Sequence, residues 1–167
     1  MVGIGGLGHL AVKFAKAWGC DVTAFTSSPS KREEALALGA HRTVSSVDVK
    51  ELKAHAGKLD FLLVTVGASL EWDALIGTLA PKGRLHLVGM VTEAMKVRTS
   101  SLLSWQRSIS ASPTPSPVTL MKMMEFCARH GIAPQVEHFP MSRVNDAVAH
   151  LRSGNARYRV VLDADFV

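Results

Sequence analysis

Six residues near the start of the chain, Gly3-Ile4-Gly5-Gly6-Leu7-Gly8, restrict the possible fold more than any other stretch. Glycines at 3, 5 and 8 satisfy the pattern G-x-G-x-x-G, which by itself also describes plain glycine-rich turns. The flanking residues narrow the reading. Met1 to Ile4 reads as the tail of a strand, while Leu7, Leu10, Ala11, Phe14, Ala15 and Trp18 recur at helical spacing before Gly19 supplies a stop. A strand, a glycine loop and a helix in that order form the context a dinucleotide site requires. Gly3 permits the tight turn, Gly5 lets the backbone approach a pyrophosphate, and Gly8 lets the helix pack on the strand. The helix N-terminus then attracts the phosphates.

The rest of the chain fits a parallel sheet with crossover helices. Strands are expected at Asp21 to Thr26, Thr43 to Ser45, Phe61 to Val66, Arg84 to Met90 and Arg107 to Ala111. The Phe61 to Val66 run is continuously apolar and β-branched, as in a strand buried on both faces. Helices are expected over Lys31 to Leu38 (ended by Gly39), Val47 to Ala56, Glu71 to Leu79 and Ser101 to Gln106, with a turn at Pro81-Lys82-Gly83. Three prolines in Ser112-Pro113-Thr114-Pro115-Ser116-Pro117 exclude a regular element and mark a boundary. Beyond it come a helix (Val118 to His130), a strand (Val136 to Phe139), a helix (Val144 to Arg152) and a strand (Arg159 to Asp163). The expected fold is α/β: a Rossmann doubly wound parallel sheet over 1–117, with a truncated first strand, followed by a C-terminal α/β extension over 118–167.

The end of the second strand bears on the cofactor. An NAD site places an acid about 20 residues beyond the glycine motif, to bind the ribose 2′-hydroxyl. Here that position falls on Ser28, within Thr26-Ser27-Ser28-Pro29-Ser30-Lys31-Arg32, where there is no acid. Hydroxyls and cations suit a 2′-phosphate, so NADP is expected. The same Ser-Pro-Ser-Lys residues also suit an ordinary N-cap followed by solvated charges. The net charge of +5 is spread over single or paired Lys and Arg residues, with 6% aromatics, which argues against nucleic acid and is matched by a basic surface that draws in a phosphorylated cofactor. No apolar run approaches the ~20 residues of a membrane span, and no leader is expected before the glycine motif. Cys20 and Cys127 are too few for a disulfide framework; buried free thiols in a reducing, cytoplasmic setting are expected.

Longer segments add a resemblance. Val2-Gly-Ile-Gly-Gly-Leu-Gly-His9, Ser28-Pro-Ser-Lys-Arg-Glu-Glu-Ala-Leu36 and Leu38-Gly-Ala40 resemble the cinnamyl (sinapyl) alcohol dehydrogenase branch of the zinc-type medium-chain family. So do Gly83-Arg-Leu-His-Leu-Val-Gly89, Phe126-Cys-Ala-Arg-His-Gly-Ile-Ala-Pro134 and Tyr158-Arg-Val-Val-Leu-Asp163. The likeness runs through essentially the whole chain. It implies reversible, NADP-linked reduction of aldehydes to primary alcohols, with zinc acting as Lewis acid in a complete enzyme. It also implies that residues after about 117 complete a catalytic domain supplied by an upstream, metal-bearing half. Position by position, it assigns Gly5, Gly6 and Leu7 to the pyrophosphate loop begun at Gly3 and closed at Gly8. Thr26, Ser27, Ser28 and Lys31 fall in the 2′-phosphate pocket, and Thr65, Val66 and Gly67 beside the ribose. Val88, Gly89 and Met90 lie beneath the nicotinamide, Ser112 near its ribose, and Arg159 near the phosphates.

Two departures stand out. Relatives flank the serine with glycines, whereas here Ala111-Ser112-Pro113-Thr114-Pro115 replaces both. The chain also has no C-x-x-C and no expected zinc site, since Cys127, His130 and His138 read as a half-buried thiol and exposed imidazoles. His9 reads as a packing or capping residue. The chain alone is therefore expected to bind NADP(H) without turning over aldehydes, and to pair as a homodimer through its sixth strand. Two alternatives remain open at this point: a stand-alone NADP-binding or regulatory module, and a zinc-free quinone or enoyl reductase.

Overall fold

The structure is a computed structural model and describes residues 1–166. Its helices are α1 (Gly8–Ala17), α2 (Lys31–Ala37), α3 (Val49–Ala54), α4 (Trp72–Gly77), α5 (Thr99–Leu103), α6 (Pro117–His130) and α7 (Val144–Arg152). Its strands are β1 (Thr23–Thr26), β2 (Arg42–Ser45), β3 (Leu59–Val64), β4 (Leu79–Leu87), β5 (Ser108–Ala111), β6 (Val136–Pro140) and β7 (Arg159–Asp163).

Strands β1 and β2 form one parallel pair, and β3, β4 and β5 a parallel trio in that order. A single residue joins them. Val2 bridges Phe25 of β1 on one side and Val64 of β3 on the other, both in parallel sense. Its N–H donates to Leu63 at 2.7 Å, its carbonyl accepts from Thr65 at 3.0 Å, and the Gly3 N–H donates to Phe25 at 3.0 Å. The spatial order is therefore β2-β1-Val2-β3-β4-β5, a doubly wound sheet whose first strand is reduced to one bridging residue. The expected truncated first strand is present in that form.

Helices lie on both faces, as the crossover rule demands of parallel neighbours. On one face Ile4, Val12, Val22, Ala24, Ala35 and Leu38 pack with Tyr158. On the other, Phe25, Val44, Leu52, Leu62, Val64, Trp72, Leu75, Ile76, Leu79 and Leu85 form the larger core with Val2. Each large aliphatic or aromatic side chain buried this way contributes roughly 1.5–3 kcal/mol. The C-terminal segment starts at α6, whose cap is Ser116: its side chain accepts from the Thr119 N–H. Gly131, at φ 62°, ends that helix in the left-handed conformation. Strands β6 and β7 pair in parallel as a separate two-stranded sheet covered by α7.

Four expectations are corrected. The helix expected through Leu79 stops at Gly77, because Leu79 already pairs with Leu59 as the first residue of β4. The expected Pro81-Lys82-Gly83 turn is absorbed into β4 as an irregularity: the register shifts between Leu59 and Phe61, and Lys82 takes φ 62°. The Phe61 to Val66 segment is not buried on both faces. Phe61 is 51% exposed, because its side chain borders an open cavity, and Thr65 and Val66 lie beyond the strand's end. Cys20, expected to be buried, is exposed, since it follows Gly19 in the turn that leaves α1 rather than packing on the sheet; Cys127 is half-buried.

Candidate functional site at the carboxyl edge of the sheet

The residues assigned to cofactor binding within the first 112 positions sit where a strand, or Val2, runs out at its carboxyl end, in the loop that follows or, for Gly8 and Lys31, at the first residue of the next helix. In open parallel sheets ligands bind in that crevice, next to the point where the strand order reverses. Here the reversal lies at Val2, between β1 and β3.

The glycine loop is held by close packing. Gly3 has φ 89°, a conformation that disfavours side chains, and a Cβ there would overlap the Val66 side chain. A Cβ on Gly8 would collide with the Gly3 carbonyl oxygen, so the helix start can lie against the strand end only without one. A Cβ on Gly5, by contrast, would meet nothing within 4 Å, leaving open space against the backbone where a phosphate would lie. Thr65 closes the loop from the β3 side, its hydroxyl lying 3.1 Å from both the Val2 and Gly3 carbonyls. Leu7 is largely exposed, and the Arg159 side chain passes Gly6, its Cζ 3.8 Å from where a Cβ would be.

His9 fixes the loop from below. Fully buried, it faces the Gly5 carbonyl through Nδ1 at 3.0 Å and receives the Gln135 N–H at Nε2 at 3.1 Å. A backbone N–H can only donate, so Nε2 is the acceptor and the proton sits on Nδ1, donated to Gly5. Its ring stacks on Tyr158 at 4.6 Å. Burial pushes the His9 pKa below its ordinary value; the Gly5 carbonyl opposes this, while the charges of Lys13 and Arg159 add to it. This neutral imidazole packs and caps, as its sequence context implied.

The end of β1 carries the hydroxyls. Ser28 N–H donates to Thr26 Oγ1 at 3.2 Å, and the Ser28 and Ser30 hydroxyls are 2.8 Å apart. Lys31, the first residue of α2, extends its Nζ to 3.4 Å from the Ile4 carbonyl. The lysine thus spans from the hydroxyl cluster to the glycine loop, placing a cation between the two. Glu33 is exposed and Glu34 is engaged elsewhere, by Arg157 Nε at 2.9 Å and Tyr158 Oη at 2.6 Å. No carboxylate occupies the place where an NAD site would have one. Further along the edge, Ser46, Val47, Ser69, Leu70 and Glu71 line a smaller cleft of about 360 Å³ between the loops after β2 and β3. The sequence reading missed it, because nothing in those five residues distinguishes them from ordinary loop.

The opposite half of the edge is looser. Gly67 and Gly89 let the loops after β3 and β4 touch: a Cβ on Gly67 would lie 2.7 Å from the Met90 carbonyl oxygen, and one on Gly89 would lie 2.6 Å from that of Val66. Val88 is exposed and Met90 is 84% exposed. Ser112 N–H donates to Leu87, and its hydroxyl lies 2.8 Å from His86 Nε2. The other nitrogen of that ring, Nδ1, lies 2.8 Å from the Ser110 hydroxyl. His86 thus ties Ser112 to β4, at the start of the segment Ala111-Ser112-Pro113-Thr114-Pro115.

A larger cavity, about 690 Å³, lies away from this edge, near the amino-terminal ends of β1 and β3. Phe14, Trp18, Phe61, Leu63, Met123 and Phe126 line it, and carbon dominates its walls. Beside it, burial pushes the Met1 amino group down to about 5. Among the described residues no three His, Cys, Asp or Glu side chains could hold a metal ion together. His138 instead pairs with Asp163 at 3.0 Å, and the His130 ring lies tilted against Phe126 at 4.2 Å. Among the same residues no helix is long and apolar enough to cross a membrane.

Comparison with known proteins agrees with this geometry. A family model described as zinc-binding dehydrogenase matches residues 6–129. An aldehyde reductase of Synechocystis sp. is 51% identical over 162 residues, covering 97% of this chain and 48% of its own length. A cinnamyl alcohol dehydrogenase structure from Sorghum bicolor superposes with a TM-score of 0.93 at 37% identity, over 97% of this chain and 46% of that one. A Helicobacter pylori CAD complexed with NADP(H) gives 0.84 at 27%, covering 97% and 46% of the two chains. An acetophenone reductase from Geotrichum candidum in complex with NAD gives 0.85 at 26%, covering 99% and 48%. The chain spans about half the length of the relatives it matches.

Proposed function

The chain belongs to the zinc-binding dehydrogenase family, and from that premise we propose that residues 1–117 bind NADP(H) as the cofactor half of an enzyme interconverting aldehydes and primary alcohols. Residues 118–167 complete the catalytic domain of that enzyme. One observation carries the cofactor choice: β1 ends in Thr26, Ser28 follows in the next turn, Lys31 reaches from there toward the glycine loop, and Glu34 is taken up by Arg157 and Tyr158. The overall fold does not discriminate, since similar structures hold NADP(H) in one case and NAD in another. The donor set does. A 2′-phosphate adds up to two negative charges that a cation and hydroxyls stabilise, whereas a bare 2′-hydroxyl calls for a carboxylate acceptor.

The open space over Gly5 fits the pyrophosphate, with Arg159 beside Gly6 as its counter-charge. Thr65, Val66 and Gly67 border the ribose, and Val88, Gly89, Met90 and Ser112 the nicotinamide end. When bound, the cofactor supplies the hydride. The chain's own residues orient it and hold its phosphates. Among the described residues no cluster of side chains fits a zinc ion. Small-molecule aldehydes and alcohols are the substrates of the complete enzyme, and the exposed edge of β5 is its homodimer contact, which light scattering tests against the 17.9 kDa chain mass.

Isothermal titration of the chain with NADPH and NADH tests the reading. NADPH should bind more tightly, and cinnamaldehyde should not turn over with the chain alone. Equal affinity for the two nucleotides would sink the NADP assignment. Stoichiometric zinc with turnover would sink the division of labour between the two halves.

A further inference from the structure

Helix α2 carries two acids after Lys31: Glu33 lies two residues on, on another face, while Glu34 lies three residues on, and positions i and i+3 share a helix face. Left to itself, Glu34 is placed to pair with Lys31, cancelling its charge and setting a carboxylate beside any 2′-phosphate. The structure shows the acid committed elsewhere. Arg157 Nε lies 2.9 Å from Oε1 and 2.8 Å from Oε2, and Tyr158 Oη donates to Oε2 at 2.6 Å. Both partners come from just before β7, 123 and 124 residues away along the chain. Each is itself anchored. Arg157 donates through NH1 to the Asn155 carbonyl at 2.8 Å, while buried Tyr158 donates its N–H to Gln135 at 3.1 Å and stacks on His9. Burial pushes the Glu34 carboxyl up, but the Tyr158 and Arg157 hydrogen bonds and the charges of Arg157 and Lys31 hold it below its ordinary value, so it stays a carboxylate. Lys31 meanwhile points at the Ile4 carbonyl.

We propose that Arg157 and Tyr158 are specificity-determining residues that act without touching the cofactor: by holding Glu34 they leave the Lys31 charge free for a 2′-phosphate. The C-terminal segment then sets cofactor choice in the Rossmann sheet, as well as adding to its bulk. A released Glu34 has two effects, competing for Lys31 and offering an acceptor to a bare ribose hydroxyl. Both lower the preference for NADPH over NADH, and specificity is that difference in affinity. The proposal rests on the reading of the β1 end as a 2′-phosphate pocket.

The test compares NADPH and NADH dissociation constants, measured by fluorescence titration of the full chain. In Arg157→Met with Tyr158→Phe, NADPH should weaken about five-fold, the scale of a partly exposed ion pair, while NADH stays unchanged or tightens. Adding Glu34→Gln to that pair should restore NADPH binding. If NADPH and NADH weaken together, or Glu34→Gln fails to rescue, Glu34 and its partners are only a structural brace and the proposal falls. Should the double variant not fold, Glu34→Gln alone decides. Removing the acid's charge leaves NADPH as tight or tighter under the proposal, whereas a brace loses affinity for both nucleotides. The unmodified chain separates the two levels. No NADPH preference there overturns the pocket reading itself, and a clear preference unaltered by the variants overturns only this proposal.

Discussion

The two ends of the carboxyl edge are built differently. At the glycine-loop end, Gly3, Gly8 and His9 are locked between Val66, Gln135 and Tyr158, and Lys31 reaches the Ile4 carbonyl. At the nicotinamide end, Val88, Met90 and Ser112 are exposed, and their geometry depends on two loops touching through glycine and on one histidine–serine contact. The difference teaches where the edge is organised in advance of any ligand. Under the proposed function the phosphates would meet donors and charge already in place, whereas the nicotinamide would meet a surface open to solvent.

The strongest way to break that contrast is at Gly8. A Gly8→Ala side chain overlaps the backbone oxygen of Gly3, and neither partner is a flexible side chain that can yield. Urea denaturation should show a loss of about 3 kcal/mol or more, whereas Met90→Ala, at the open end, stays within ~0.5 kcal/mol of the parent. Equal effects at the two positions would abolish the distinction.

Lys31→Ala comes next. It should weaken NADPH by roughly 1.5–3 kcal/mol, the range of a hydrogen bond to a charged group, and leave NADH unaltered. Titration calorimetry with both nucleotides reads it directly.

His9→Phe keeps a ring against Tyr158 but strands the Gln135 N–H and leaves the Gly5 carbonyl with only the residue 9 backbone N–H, at a cost of about 1–3 kcal/mol in stability. A pH signature accompanies it. The folded His9 pKa is depressed, so the stability from its neutral form is present above the ordinary value of 6.5 and is lost as pH falls through the lowered value. Denaturation midpoints of the parent should drop faster than those of the variant on acidification below 6.5. Parallel curves would show that His9 titrates alike in both states.

Ser112→Ala should give the smallest effect, no more than ~1 kcal/mol in NADPH affinity, because a neutral, exposed hydroxyl already engaged by His86 has little to lose. A larger loss would mean that the open end is more organised than its exposure suggests.

Much of this was legible in the residues. The glycine spacing and the alternation of elements located the glycine loop and the order of strands, because those features are local or periodic. Helix α7 and strand β7 matched their expected bounds, since a clean amphipathic period and a β-branched run leave little choice. The failures have physical causes. Leu79 reads as the last turn of an amphipathic helix until its pairing with Leu59 draws it into β4, a long-range hydrogen bond that no local pattern encodes. Phe61 reads as core because its neighbours are, and only the open cavity beside β3 shows one face uncovered.

Sequence by itself determined the chemistry of the phosphate site: which positions lack a Cβ, which carry hydroxyls and a cation, and that no acid stands where NAD would need one. Those properties are fixed in each residue and survive any packing. The tertiary structure alone decided how the sheet is joined and how Glu34 is disarmed. Met1, Val2 and Gly3 hold two halves of a sheet through hydrogen bonds to residues more than twenty positions away, and Arg157 and Tyr158 reach back across the chain to an acid on α2. Contacts at such separation depend on where the fold places distant backbone, which spacing along a chain does not record.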